Sequence, residues 1–468
     1  MQQQLRAFRK RPRGEGDLAP PQLQRGQRIP LAHLSPVQLR CVQEDLTFQP
    51  RSGFDKTTVP DPVVCYAMTE SAVIAPRCYV APGVGPAEDC LLDGLPLRCA
   101  FEGSLLPHQV EAAAKSLAAL RAAPHACILT LPCGYGKTVV SLHVACSLGR
   151  RTLVCVHKEF LLEQWAERIR QFLPGASVGR LQGGVAETDC DFVVAMIQSL
   201  ARRSYGDELL DVFGTVVVDE AHHMAARVFS EIFYRLPARH VLGLTATPKR
   251  KDGCTPILHL HMGKHSLMVE ARSEEEVTAR IVSFAWPCRV TREIGPGETQ
   301  KHKTALTRDA RRNALLVELC VRAAAQDRCV ICLSDRVQHV KDLLAGFEAA
   351  GGQGGALYVG GLSRQARRGA EDSGRVLFAT FSMAKEGLDI PRLDTLVLAS
   401  PAGDLTQTVG RILRPCSSKQ QPLIYDVADD LTLPFVRLSK ARRDFYVAAG
   451  YSVREGPDAD TPRASTET

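Results

Sequence analysis

The residues able to do chemistry gather first at Leu131-Pro132-Cys133-Gly134-Tyr135-Gly136-Lys137-Thr138. Gly134 and Gly136 let backbone N–H groups turn inward around an anion, and a helix starting behind them adds its partial positive charge. Lys137 then reaches the outer phosphates of a nucleotide, and the Thr138 hydroxyl is offered to Mg²⁺. Leu131 stands where the general G-x-x-x-x-G-K-S/T pattern has its first glycine. A second group follows at Val216-Val217-Val218-Asp219-Glu220-Ala221-His222-His223, where a β-branched run ends in two carboxylates. Asp219 is placed to hold Mg²⁺, directly or through water, and Glu220 to orient and deprotonate an attacking water. Loop, lysine and paired acids are the parts of an ATP-hydrolysing site.

Such parts work only when strands deliver them to one edge of a sheet. Ala126 to Leu131 is an apolar run of strand length, and Val139 to Leu148 has helical spacing, so the loop lies between strand and helix. A helix opens at Leu105-Leu106-Pro107-His108-Gln109, with Val110, Ala113, Leu117 and Leu120 on its apolar face. Strands at Thr152–Val156, Asp191–Ile197, Thr215–Val218 and His240–Leu244, with an amphipathic helix at Glu159–Phe172, continue the alternation. It returns with strands at Cys329–Leu333, Ala356–Val359, Arg375–Ala379, Thr395–Ala399 and Pro422–Val427, then a helix at Leu438–Ala449. Two tandem α/β lobes result, each a parallel sheet with helices on both faces.

The 468 residues suit two or three domains, and 45% hydrophobic with 23% charged residues is ordinary for a soluble protein. No apolar run reaches the roughly 18–20 residues of a membrane span, and the polar, Gln-rich start is not a secretory signal. The net charge of +7 is concentrated in residues 1–30, where seven basic residues face two acidic ones. Binding of nucleic acid therefore requires a local track on a nearly neutral body. Sixteen cysteines, with Cys127, Cys155, Cys329 and Cys332 inside apolar runs, read as buried thiols of an intracellular, reducing compartment.

The expected organisation is a disordered basic tail at 1–30, a small β-rich accessory domain at 31–103, lobe 1 at 104–265, a connection at 266–325, lobe 2 at 326–432 and a C-terminal helix with polar tail at 433–468. Residues 9–13, Arg-Lys-Arg-Pro-Arg, are a nuclear-import or nucleic-acid patch or simply a solvated tail.

From Leu105 to Val427 the motifs together resemble the superfamily 2 helicases and translocases, which implies two RecA-like lobes. By that resemblance Gln109 reads adenine, and Thr245 and Thr247 of Leu244-Thr245-Ala246-Thr247-Pro248 couple hydrolysis to movement. Gly387 and Asp389, within the run from Ala379 to Pro391, touch nucleotide and strand. Gln407, Arg411 and Arg414 match the arginine-finger helix. A strand-binding track follows from the same resemblance: His157, Lys158, Gln182, Gly183, Gly184, Gln198, Ser199, Leu200, Ser334, Arg336, Gly360, Gly361 and Thr380. Glycine amides, hydroxyls and a few cations suit phosphate contacts that read no sequence.

Leu131–Thr138 and 244–253 narrow the resemblance to the branch holding XPB-type DNA repair helicases, type III restriction subunits and phage and large-DNA-virus helicases, the poxviral transcript-release helicase among them. Residues 441–451 resemble the end of the phage and viral members. Arg250-Lys251-Asp252 stands where XPB-type enzymes have Arg-Glu-Asp, so no excision-repair role is carried over. The resemblance implies an ATP- and Mg²⁺-dependent DNA helicase or translocase. An RNA helicase, or a remodelling ATPase that does not separate strands, stays open. A non-catalytic nucleic-acid scaffold is disfavoured by the intact Lys137, Asp219, Glu220, Arg411 and Arg414. A P-loop kinase or metabolic ATPase leaves the second lobe unexplained.

Overall fold

The computed structural model describes residues 22–51, 60–132, 134–203, 205–222, 231–246, 250, 252–269, 276–286, 288–292, 294–386, 390–403, 405, 409, 419–429 and 432–456. They fall into two compact units, the first made of the residues up to Leu131 and Tyr135–Val269, the second of Pro132–Gly134 and the residues from Glu270 on.

The main sheet of the first unit is built from β1 (Ala126–Thr130), β2 (Thr152–Val156), β3 (Val178–Gln182), β4 (Val185–Ala186), β5 (Phe192–Met196), β6 (Thr215–Val218), β7 (His240–Thr245) and β8 (His265–Met268). Their spatial order is β4-β3-β5-β2-β6-β7-β1-β8. All pairings are parallel except the β3–β4 hairpin. The central strands β1, β2, β5 and β6 are almost wholly apolar, and their alternate residues feed opposite cores. Ile128, Leu153, Val193, Val216 and Val218 face one side. Cys127, Leu129, Val154, Val194 and Val217 face the other, beneath α1 (Pro107–Arg121), α2 (Lys137–Leu148) and α3 (Glu159–Phe172).

On α1 the buried residues are Gln109, Ala112, Ala113, Ser116 and Leu120, while Val110 is 53% exposed. The apolar face drawn through Val110 is thus rotated by about one position, because a buried glutamine and serine belong to the true face.

The N-terminal region is strand-rich, with a five-stranded sheet made from Gln22–Leu23, Gln27–Pro30, Ala67–Met68, Ala72–Ala75 and Glu88–Asp89. Residues 22–30, expected to be disordered, supply two of these strands, because Ile29 and Leu23 are buried within an otherwise polar stretch. The remaining residues of the tail lie outside the described set. Its described residues share a core with lobe 1: Ile29, Val42, Val63, Val73 and Tyr79 join the same apolar cluster as Ile128 and Val216. Arg77, 9% exposed, ties it down by donating to the carbonyls of Ala238 and Arg239 at 2.6 and 2.7 Å.

In the second unit β9 (Thr278–Phe284), β10 (Val330–Ser334), β11 (Gly355–Tyr358), β12 (Val376–Thr380), β13 (Thr395–Leu398), β14 (Leu423–Asp429) and β15 (Ser452–Glu455) form an all-parallel sheet, ordered β11-β12-β10-β13-β14-β9-β15. Here too alternate residues divide between two cores, Ile331 and Leu377 on one side, Val330 and Phe378 on the other. Residues 266–325, expected to connect the lobes, contribute more than a link. They hold most of β8 in the first sheet, β9 in the second, and α4 (Ala310–Ala325), whose Leu316, Leu319 and Cys320 are buried. The C-terminal helix, α5 (Leu433–Ala448), begins before Leu438 because Pro434 falls in its first turn, where no N–H partner is lost. No described helix is long and apolar enough to cross a membrane. Cys127, Cys155 and Cys332 are buried free thiols. The architecture is that of two α/β, RecA-like lobes with a strand-rich N-terminal region.

Candidate active site

Because β6, β7 and β1 are consecutive parallel neighbours in the first sheet, the segments leaving their C-terminal ends emerge along one edge. Those segments carry Asp219-Glu220, Ala246 and the glycine loop respectively.

Gly134 has φ 87° and Gly136 φ 78°, left-handed values that side chains other than glycine rarely take. Gly136 is also tightly enclosed, since a Cβ there would lie 2.3 Å from Nε2 of Gln109. The helix α2 begins at the next residue with no side-chain cap on its N-terminus, so the loop and the first turn offer backbone N–H groups of the kind that cradle phosphate. Lys137 is the first residue of α2, and its Nζ donates to the carbonyl of Leu131 at 3.0 Å. Thr138, half-buried, is the second. Gln109 is buried on α1; its Oε1 accepts from the backbone N–H of Leu106 at 3.0 Å, and its Nε2 donates to the carbonyl of Tyr135 at 3.2 Å. The amide thus holds the loop and retains one N–H and one lone pair for a ligand.

Asp219 follows β6 directly. Its Oδ2 accepts from the Trp165 indole at 2.9 Å and its Oδ1 from the backbone N–H of Glu220 at 3.0 Å. Burial, and then the charge of Glu220, push the Asp219 carboxyl up to about 6, while the Trp165 hydrogen bond and the positive Lys137 pull the other way. Glu220 sits at φ 48°, a strained value for a residue with a side chain. Its Oε2 is buried with no hydrogen-bond partner among the described residues, though His222 Nδ1 lies 3.4 Å away. That nitrogen is 3.2 Å from Oγ1 of Thr245, which is fully buried at the end of β7. Two adjacent acids, one held above its ordinary range and one with an orphaned oxygen, form a donor set that favours a hard divalent cation. The site residues therefore fit ATP and Mg²⁺.

The other track residues of this unit lie at the same edge, at the ends of β2, β3 and β5. Gln198 donates to the carbonyl of His157 at 2.9 Å, Gln182 to Oε1 of Glu159 at 3.0 Å, and the N–H of Gly183 to Oγ of Ser199 at 3.0 Å. Burial lowers the Lys158 ammonium from its ordinary value. Gly184 has open space where a side chain would stand, whereas Leu200 is buried in the core.

In the second unit Ser334 is fully buried, its Oγ 2.9 Å from His339 Nδ1 and 3.2 Å from the backbone nitrogen of Arg336, which donates to it. The Arg336 guanidinium donates to Oε1 of Gln300 at 2.6 Å. Thr380 Oγ1 is 3.2 Å from Ser382 Oγ, and Gly360 and Gly361 are exposed. Thr247, Gly387, Asp389, Gln407, Arg411 and Arg414 lie outside the described residues.

Sequence reasoning missed Trp165, absorbed into an apolar helix face, although a buried indole N–H always needs an acceptor. It also missed two buried pairs. Arg312 donates to Asp429 at 3.0 Å and to the carbonyl of Ala399 at 2.5 Å. Arg442 grips Asp426 at 2.8 and 2.7 Å and reaches the carbonyl of Ala402 at 3.0 Å.

Residues 102–250 match the family described as the type III restriction enzyme, res subunit. Over 365 residues the chain is 30% identical to a putative ATP-dependent RNA helicase of Acanthamoeba polyphaga mimivirus, covering 76% of this chain and 70% of that protein. Among solved structures it is similar to a fragment of a putative HsdR subunit of a type I restriction enzyme from Vibrio vulnificus, at 17% identity and TM-score 0.56, covering 76% of this chain and 69% of that one. It is also similar to the DNA-bound type ISP restriction-modification enzyme LlaBIII, at 14% identity and TM-score 0.54, covering 77% of this chain and 32% of that one. The two structural likenesses speak for the fold, and the viral relative for the family. The chain belongs to the superfamily 2 helicases, enzymes that use ATP and act on nucleic acid.

Proposed function

We propose that this chain is a DNA helicase or translocase that couples hydrolysis of Mg²⁺-bound ATP to movement along DNA or to its unwinding. The observation that carries the reading is the delivery of the Gly134–Lys137 loop and the Asp219-Glu220 pair to one sheet edge by β1 and β6, the two strands that flank β7. In this reading the loop amides and Lys137 hold the phosphates, Gln109 selects adenine, and Thr138 with Asp219 holds the cation. One or two protein ligands plus phosphate oxygens is the usual way Mg²⁺ is bound. Glu220 orients and deprotonates water, its Oε2 making no hydrogen bond among the described residues and having His222 Nδ1 3.4 Å away. His157, Lys158, Gln182, Gly183, Gly184 and Ser199 form the phosphate-contacting patch of the first lobe; Arg336, Gly360, Gly361 and Thr380 are the candidates on the second. Gln407, Arg411, Arg414, Gly387, Asp389 and Thr247 keep the roles that the family likeness suggests.

DNA is favoured by the match to a restriction-subunit family and by the DNA-bound structural neighbour. An RNA substrate is the second reading, favoured by the name of the mimiviral relative. The two separate in one experiment: ATP hydrolysis measured without nucleic acid, then with single-stranded DNA, duplex DNA and RNA at equal nucleotide concentration. Stimulation by DNA above RNA supports the first; stimulation confined to RNA replaces it with the second.

A further inference from the structure

Trp165 is one of two tryptophans in the chain and is 2% exposed, sharing the core beneath the first sheet with Leu161, Leu162 and Ile169 of α3. Apolar burial explains its ring but not the direction of its N–H. That N–H ends 2.9 Å from Oδ2 of Asp219. The other oxygen of the same carboxylate is held by the Glu220 backbone at 3.0 Å. Two donors on two oxygens fix the plane of the carboxylate, and each oxygen keeps a lone pair for another ligand. The backbone donor moves with the loop after β6, whereas the indole is anchored in a separate helix. Among the described residues, Trp165 is thus the side-chain hydrogen-bond donor that ties the Asp219 carboxylate to the body of the lobe. The helix α3 also packs against α2, whose first residue is Lys137.

We propose that Trp165 is a positioning residue that orients Asp219 to bind the divalent cation accompanying ATP; this rests on the reading of Asp219 as the cation-binding acid. The indole touches neither nucleotide nor metal and acts through the carboxylate alone. Outer partners that orient a metal-binding side chain typically change metal affinity or activity about 10–100-fold when removed.

The test compares the parent chain with Trp165→Phe, which keeps an aromatic ring in the core and removes the N–H. The expected result is a folded protein whose half-saturating Mg²⁺ concentration for ATP hydrolysis rises about 10–100-fold. Unchanged Mg²⁺ dependence and turnover in folded Trp165→Phe overturns the inference. Should that variant not fold, Trp286→Phe leaves Trp165 as the sole tryptophan and reporter. Its emission is expected to change when Mg²⁺ is added with a nucleoside diphosphate, and Asp219→Asn in the same background is expected to abolish the change. Silence of Trp165 in the Trp286→Phe protein overturns the inference as well. A parent that hydrolyses no ATP, or Asp219→Asn turning over at the parent rate, instead removes the underlying site reading.

Discussion

Lys137 reaches back along its own loop to donate a 3.0 Å hydrogen bond to the carbonyl of Leu131, the residue that stands where the general phosphate-loop pattern has its first glycine. The ammonium is thus held over the loop and is positive enough at Asp219 to oppose that residue's upward shift. A phosphate entering the loop meets a lysine already aimed inward, and the carbonyl contact is a weak neutral partner to exchange for an anionic one.

Glu220→Gln is expected to keep ATP binding and to slow hydrolysis by about 10²–10⁴-fold, the range for removing a positioned general base. Nucleotide binding and turnover measured side by side decide it. A variant that no longer binds ATP assigns Glu220 to holding the site together, which its φ of 48° would then serve.

Arg442 and Asp426 are each 1% exposed, and Tyr446 donates to the same carboxylate at 2.9 Å. Arg442→Ala leaves a charge buried alone and is expected to destabilise the chain by about 3–5 kcal/mol in denaturant titration. Its neighbour Arg443 pairs with Glu455 at the surface, and Arg443→Ala is expected to cost under about 1 kcal/mol. Equal effects of the two substitutions would contradict the burial argument.

Burial pushes His240 and His339 down to about 4 and His261 to about 3. In the unfolded chain these rings take up protons near pH 6.5, so between that value and about 4 the unfolded state binds more protons and stability falls as pH falls. At His339 the causes are burial and then the charge of Arg312; its two nitrogens lie 2.9 Å from Ser334 Oγ and 2.9 Å from Asn313 Oδ1, so the neutral ring is fully partnered. Asp219, raised to about 6, works in the opposite sense, losing stability as pH rises from about 4 to 6. Burial lowers His143 and His265 as well, while Asp429 joins Asp219 in being raised, so the lowered rings outnumber the raised carboxyls and the net is a loss of stability as pH falls from about 6 to about 5. Urea midpoints taken across that interval should fall with pH; a flat profile would contradict the buried neutral rings.

Much of this architecture is legible in the sequence. Val216-Val217-Val218 is buried whichever face it presents, so its strand could be read from composition alone. The strand Thr278–Phe284 could not, because Arg280 and Ser283 break its apolar run and their accommodation depends on the neighbouring strands. Ile29 is fully buried within a basic, proline-flanked stretch, and what orders that stretch is remote in sequence: the pairing of Gln27–Pro30 with Ala72–Ala75 and a core shared with lobe 1. Lys137, Asp219 and Glu220 were legible because their chemistry demands fixed residue types at strand ends. Trp165 was not, because periodicity reports which face of a helix is buried and says nothing of where a buried N–H finds its acceptor.

The most direct test of the central claim is steady-state ATP hydrolysis by the parent chain and by Lys137→Ala, each with Mg²⁺ and saturating single-stranded DNA. The account predicts measurable turnover in the parent and a loss of at least about 10²-fold in a variant that melts like the parent, since a methyl group cannot replace the charge over the phosphates. Parent-level hydrolysis by folded Lys137→Ala would contradict the assignment of the site.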